Sequence, residues 1–428
     1  MRSPSPSTPA GRTRALRAAR ALTFGLLTLA AVAGPRAQNV LLIVVDDLGV
    51  DNVGVYAEGG DLPPTPHIDA LAADGVLFRN CWANPVCSAS RATILTGRYG
   101  FRTGVVHAIP QCPELPLAEW TIPEVLDLSP GLGVAHAAIG KWHLGDTVGG
   151  ASSPNLHGFG RYEGALPGGI DSYYAWPETL DGTTATNTTY VTTETVDDAL
   201  AWIGGQSGPW FLYLAFNAPH VPFEAPPAAL HTQRLPPEEW FDQPRPYYKA
   251  VVEALDTELG RLLAGIPPRV RAQTTVVFVS DNGTPYFATA PPFDPDHAKA
   301  TLYEGGVNVP LIVSGAGVVS PGRECAALVN TTDLFATALE LAGVDLATGL
   351  PGGLVHDSVS LVPYLVDAEQ PPLRSTVYAE MQAETQVSIG KNGTALWDGR
   401  YKMISFDDGT VEFYNLHVDP FEASPVGQ

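Results

Sequence analysis

Four short apolar runs, rich in β-branched and aromatic side chains, constrain the fold of this chain most: Val40 to Val45, Trp210 to Phe216, Thr275 to Val279 and Val309 to Val313. The runs are continuous rather than alternating, so each strand must be covered on both faces, as happens inside a sheet flanked by helices. Helix-like stretches separate them at Pro66 to Asp74, Thr192 to Gly205, Tyr247 to Leu263 and Thr332 to Ala342. This alternation predicts an α/β domain with a mostly parallel sheet sandwiched by helices, over residues 38–370. A chain of 428 residues, 45% hydrophobic and 16% charged, is long and apolar enough to bury such a core. Beyond Pro371 the pattern changes to short strands, at Ser375 to Glu380, Thr394 to Ile404 and Val411 to Leu416, joined by polar turns such as Asp407-Asp408-Gly409. Residues 371–428 therefore read as a small antiparallel subdomain. Between Asp146 and Asp171 the chain is rich in Gly and is expected to be loop.

The amino terminus reads differently from the rest. Arg12, Arg14, Arg17 and Arg20 precede an apolar run from Ala21 to Gly34, with small residues at Ala31, Ala33 and Ala37. That order describes a secretory signal peptide over residues 1–37, and the run is too short to span a bilayer. The protein is thus expected to be exported, periplasmic or extracellular, with no membrane span once the signal is removed. A formal charge of −21 argues against a nucleic-acid partner, because phosphate backbones would be repelled by most of the surface. An anionic substrate would need a local positive pocket.

Two of the strand runs end in acids: Asp46-Asp47 after the first, and Asp281-Asn282-Gly283 after Thr275 to Ser280. In open α/β sheets, ligands bind at the carboxyl ends of the strands, so these side chains are expected to converge. Like charges gathered together need a cation, and an all-oxygen set suits Ca²⁺, or alternatively Mg²⁺, better than zinc. Taken alone, an Asp-Asp pair is more often a solvated turn; two strands ending the same way outweigh that reading.

Cys87-Ser88-Ala89-Ser90-Arg91, continued by Leu95-Thr96-Gly97, describes a nucleophile at the start of a helix that begins near Ser88. Unpaired N–H groups of the first turn, the helix dipole and Arg91 would stabilise an anion there. Gly140-Lys141-Trp142-His143 follows the apolar segment Val134 to Ile139, placing a cation and an imidazole two residues apart in an expected extended stretch, pointing the same way. Asn217-Ala218-Pro219-His220 puts another histidine just past a strand end, and Lys299 precedes Tyr303-Glu304-Gly305-Gly306. Singly, such residues are more often structural or solvated. Their joint occurrence points to a site.

In this order the segments LLIVVDDLG, TPHIDALAADGVLF, CSASRATILTG, GKWHLG, HGFGRYEGALPGGID, APHVPF, VFVSDNG, the YEGG stretch and DGRYKMI with FYNLHVDPFE resemble the type I, formylglycine-dependent sulfatases over almost the whole mature chain. The resemblance implies an alkaline-phosphatase-like fold and hydrolysis of sulfate monoesters to an alcohol and sulfate. It implies that Cys87 is oxidised to formylglycine by a maturation enzyme. It places Asp46, Asp47, Asp281, Asn282 and the modified residue 87 as metal ligands. By the same likeness, Arg91 and Lys141 hold the aldehyde hydrate, His143 assists it, and His220 with Lys299 sit by the sulfate and the leaving group. The sequence departs from the family at Ala89, where proline is usual, and at His67, where a small polar residue is commoner.

Two alternatives stand beside this reading. A phosphatase or phosphodiesterase of the same superfamily would rely on Asp and His ligand clusters, yet none of the ten histidines has an aspartate four residues before it. A non-catalytic, sugar-binding relative would follow if Cys87 were never converted. The substrate, whether a sulfated carbohydrate or a small aryl or alkyl sulfate, depends on loops such as Phe101 to Cys112 and Asp146 to Asp171, whose shape composition does not reveal.

Overall fold

A computed structural model describes residues 38–383 and 390–426, so the expected signal peptide at 1–37 lies outside the described residues. Fourteen strands follow one another among them: β1 Asn39–Val45, β2 Gly75–Trp82, β3 Ala135–Gly140, β4 Tyr162–Gly164, β5 Trp176–Leu180, β6 Thr183–Asn187 and β7 Trp210–Ala215, then β8 Thr274–Ser280, β9 Leu311–Gly315, β10 Arg323–Asn330, β11 Val377–Met381, β12 Gly393–Trp397, β13 Tyr401–Phe406 and β14 Val411–Asn415. The helices of eight or more residues are α1 Pro66–Ala73, α2 Cys87–Thr96, α3 Val191–Gly204, α4 Pro244–Gly265 and α5 Leu334–Leu341.

The first ten strands form one sheet in the order β10-β2-β9-β8-β1-β7-β3-β4-β5-β6, and the last four a separate antiparallel sheet in sequence order. At the centre β8, β1, β7, β3 and β4 run parallel. Strand β1 shows why: Val40, Leu42 and Val44 enter one core, shared with Ile94 and Leu95 of α2 and Phe335 of α5, while Leu41, Ile43 and Val45 enter another, with Val196 of α3 and Leu255 of α4. Alternate residues thus meet opposite helical layers, and each fully buried aliphatic side chain contributes about 1.5–3 kcal/mol. The C-terminal sheet packs on the main domain through a third core, in which Trp82 stacks on Trp397 with ring centroids 5.9 Å apart.

The sandwich and the C-terminal sheet agree with the sequence reading, and three local expectations are corrected. The expected strand Val309 to Val313 begins at Leu311 and lies antiparallel to both neighbours, β2 and β8. Thr394 to Ile404 is two strands, β12 and β13, because the carboxylate of Asp398 accepts the N–H groups of Arg400 and Tyr401 and closes a turn at Gly399 (φ +92°). The expected loop between Asp146 and Asp171 contains the short helix Ser153–Leu156 and the three-residue strand β4, which pairs with β3 and β5.

Candidate active site

Asp46 and Asp47 leave the carboxyl end of β1, and Asp281 and Asn282 that of its parallel neighbour β8. On the other side of β1, β7 leads to Asn217 and His220, and β3, next in order, leads to Lys141 and His143. The topology therefore delivers every one of these groups to one edge of the sheet. Helix α2 supplies Cys87, its first residue, and Arg91, one turn later, both buried, and the segment between β8 and β9 supplies Lys299. The helix stops at Gly97, whose positive φ of +67° lets its N–H cap the carbonyl of Thr93.

The side chains form one connected cluster. One ligand atom from each of Asp46, Asp47, Cys87 and His220 lies within 4.8 Å of the others. Cys87 Sγ is 3.4 Å from Asp46 Oδ1 and 3.6 Å from the Lys299 ammonium. Lys141 is ion-paired with Asp46 and Lys299 with Asp47. Arg91 donates to Asp281 Oδ2 at 2.9 Å and to the Lys141 carbonyl at 3.1 Å. Asn282 donates to Asp47 Oδ1 at 2.7 Å, while His220 Nε2 stands 4.0 Å from Asp47 Oδ2. His143 Nε2 meets the Ile109 carbonyl at 3.1 Å, and Ser88 Oγ, next to Cys87, accepts the Ile109 N–H at 3.1 Å.

Asp47 (φ +74°) and His143 (φ +54°) adopt left-handed backbone that non-glycine residues avoid at a cost of about 1–3 kcal/mol. The Lys141 to His143 stretch is therefore not extended, contrary to the expectation from alternation. The turn at His143 is what lets its imidazole reach the 109 carbonyl.

Burial governs the electrostatics. It pushes the Cys87 thiol up to about 12, with Asp46 adding to the effect against Lys141 and Lys299. Burial also pushes Asp281 up to about 7, reinforced by the charge of Asp46. Asp46 itself is held well below the usual carboxylate range: burial opposes this, but Lys141, His220, Arg91 and Lys299 outweigh it. His143 is held well below the ordinary imidazole value by burial and then by Lys141, so it is neutral at neutral pH. Its hydrogen bond to a carbonyl, which can only accept, assigns the proton to Nε2 and leaves Nδ1, buried and without a partner, as the basic atom.

The cluster also fits a hard cation. Three carboxylates and an amide supply oxygen donors, and Asn282 Oδ1 is buried without a hydrogen-bond partner, an unsatisfied acceptor that a cation would meet. All the sequence-derived candidates fall in or beside this cluster. His67, the other departure from the family pattern, lies outside it, with its ring against Gly260 of α4. Supporting residues not foreseen are Tyr248, whose hydroxyl donates to the Asp47 carbonyl at 2.8 Å, Tyr173, which donates to the His220 carbonyl at 2.6 Å, and Gly168. A Cβ on Gly168 would fall 2.1 Å from His143 Nε2, so the backbone there forms a wall against the imidazole. No single-sequence signal marks these contacts, because each partner is distant along the chain.

Residues 38–344 match the sulfatase family, and residues 296–427 match the family described as N-sulphoglucosamine sulphohydrolase, C-terminal. N-acetylgalactosamine-6-sulfatase of Sus scrofa is 32% identical over 383 residues, covering 81% of this chain and 69% of that protein. Arylsulfatase A of Bos taurus is 30% identical over 435 residues, covering 90% and 78%. Among solved structures, Ps i-CgsB in complex with k-i-k-neocarrahexaose superposes with a TM-score of 0.77 at 26% identity, covering 91% of this chain and 88% of that one. With the family matched over most of the chain and the fold shared, this protein belongs to the sulfatase family of the alkaline phosphatase-like superfamily and is a sulfuric ester hydrolase.

Proposed function

We propose that the protein is an exported sulfatase of carbohydrate sulfates, in which Cys87 is converted to formylglycine and Asp46, Asp47, Asp281 and Asn282 hold Ca²⁺, with Mg²⁺ as the alternative. The observation that carries the reading is the position of residue 87, first in α2, between Asp46 and the Lys299 ammonium. With its thiol pushed up to about 12, unmodified Cys87 carries almost no thiolate at neutral pH and is a poor nucleophile. As an aldehyde hydrate, residue 87 instead offers two hydroxyls on one carbon, one to attack sulfur and one to close the cycle. When bound, a hard divalent cation supplies positive potential to the ester oxygens and favours ionisation of a neighbouring hydroxyl.

The chain's own groups do the rest. Arg91 and Lys141, both buried, hold fixed positive charge where negative charge develops in sulfuryl transfer, and in this water-poor setting it acts strongly. His143 takes at Nδ1 the proton of the second hydroxyl, so that the aldehyde C=O re-forms as the bond from that carbon to the sulfate oxygen breaks and sulfate leaves. Burial lowers His220 despite Asp46 and Asp47, so it is uncharged at neutral pH. Lys299, which burial would discharge, is kept protonated by Asp47, and its Nζ is placed to protonate the departing alcohol while His220 orients it. The carbohydrate substrate is supported by the names of the relatives, and export by the arginine-rich, apolar amino terminus. Among the described residues no helix is long and apolar enough to cross a membrane.

The intact mass of the peptide containing residue 87 tests the proposal: an aldehyde is expected, and an unmodified cysteine in fully active protein would overturn it. If the native host leaves the cysteine intact and the protein inert, the sugar-binding alternative holds instead. The same measurement addresses Ala89. The first N–H within α2 to find a carbonyl is that of Ser90, so Ala89→Pro sacrifices no helical hydrogen bond, while its ring would stiffen the unfolded segment and restrict Ser88 to extended geometry. With a maturation enzyme that requires proline, Ala89→Pro is expected to raise both the converted fraction and activity. Equal, complete conversion of both versions would show the alanine to be neutral.

A second test follows from Gly168. Gly168→Ala must displace the His143 ring, and misplacement by about 1 Å can cost about 10²-fold in rate. The expected result is a fall in kcat of that order with the melting temperature little changed; unaltered kcat would show that the ring moves freely.

A further inference from the structure

A cavity of about 420 Å³ adjoins the active site and shares Lys299 with it, within the size range of small-ligand sites. Its other walls come from the 286–303 segment and the C-terminal sheet, and they are built of aromatic faces and polar heads. Tyr286 is 53% exposed, held edge-on against Phe287 with centroids 4.8 Å apart. The His297 ring lies flat on Tyr303 at 3.6 Å, and Tyr303 is fixed by its hydroxyl donating to Glu412 at 2.8 Å. Lys391 sits over the Phe406 ring at 5.1 Å.

The charges decide what such a cavity can hold. Lys299 is ion-paired with Asp47, and Lys391 with Asp408 at 3.0 Å, so both cations are already matched. His297 is shifted down by burial and carries no charge at neutral pH. Asp296 adds a carboxylate to the lining. The cavity thus has no surplus positive charge for a second sulfate. The one exposed aromatic ring of the lining, Tyr286, beside a carboxylate and an imidazole suits an uncharged ring with an apolar face and several hydroxyls.

We infer that this cavity binds the pyranose ring of the ester's alcohol portion, with Tyr286 covering its apolar face and Asp296 accepting from its hydroxyls. The inference rests on the carbohydrate-sulfatase reading and refines it: the ring beside the scissile ester is neutral and hydroxylated, and Tyr286 and Asp296 determine specificity. Lys299, common to both spaces and 3.6 Å from Cys87 Sγ, sets the ring next to the reacting atoms.

The test compares the matured wild type, Tyr286→Ala and Asp296→Asn on 4-nitrophenyl sulfate and on carbohydrate sulfates, using N-acetylgalactosamine 6-sulfate, N-acetylglucosamine 6-sulfate and carrageenan oligosaccharides. For the best sugar substrate, both variants are expected to lower kcat/KM relative to the aryl ester by about tenfold or more, through KM rather than kcat. An unchanged ratio in both variants overturns the inference, as does a wild type that cleaves the aryl ester and none of the sugars. A wild type that releases sulfate from neither class overturns the underlying functional reading instead.

Discussion

Exhaustive chelation of divalent cations is expected to abolish sulfate ester cleavage, and Ca²⁺ or Mg²⁺ is expected to restore it better than Zn²⁺. Asp46, Asp47 and Asp281 are buried together, and burial with the charge of Asp46 already lifts Asp281 to about 7. Lys141, Lys299 and Arg91 offset part of this, but each pairs with one carboxylate, and the Asn282 carbonyl oxygen is left without a donor. A hard cation satisfies that oxygen and the carboxylates at once; zinc prefers nitrogen and sulfur ligands. Binding should also be visible without any substrate. A ligand at 100 times its Kd stabilises the folded state by about 2.7 kcal/mol, so Ca²⁺ is expected to raise the melting temperature of the chelated protein and of an Asp47→Asn variant much less. Full activity after chelation, or a melting temperature indifferent to Ca²⁺, would remove the metal from the site.

The sequence was most legible where local chemistry and global fold demand the same thing. Residues Val40 to Val45 are buried whichever way the sheet is assembled, so continuous apolarity alone identified β1, and the acids ending it had to lie at the sheet's edge. Strand β2 carries no such signature, because Arg79 and Asn80 interrupt its apolar run; in the fold Arg79 reaches Glu324 and Asn80 the Ala326 carbonyl on neighbouring β10, contacts that no local pattern announces. The Thr-rich hairpin β5–β6 has too few large apolar residues to register as strands, although Asp181-Gly182 marks its turn. In the site, the charged residues were readable because each follows a strand or opens a helix. The groups that hold them were not: Tyr173, Tyr248, Ile109 and Gly168 act through a hydroxyl, a carbonyl or a missing Cβ, properties that any tyrosine, isoleucine or glycine shares.

Replacement of His143 by alanine is expected to slow turnover by about 10²-fold or more, the usual scale for a lost proton-transfer group. The argument starts from the ring's two nitrogens. Nε2 donates to the Ile109 carbonyl, so Nδ1 is the atom free to take a proton, and burial together with Lys141 keeps the imidazole neutral at neutral pH. A base is therefore available without prior deprotonation, and the acid limb of the wild-type rate profile should fall below the ordinary imidazole value. The proposed role of His143 lies after attack at sulfur, in the step that frees sulfate. The alanine variant should then release the alcohol of a chromogenic ester in a burst close to one equivalent per converted site, while sulfate release lags behind. Rapid-quench measurement of both products resolves the order. Alcohol and sulfate slowed in step from the first turnover would move His143 to the attack itself, and normal turnover would take it out of the mechanism.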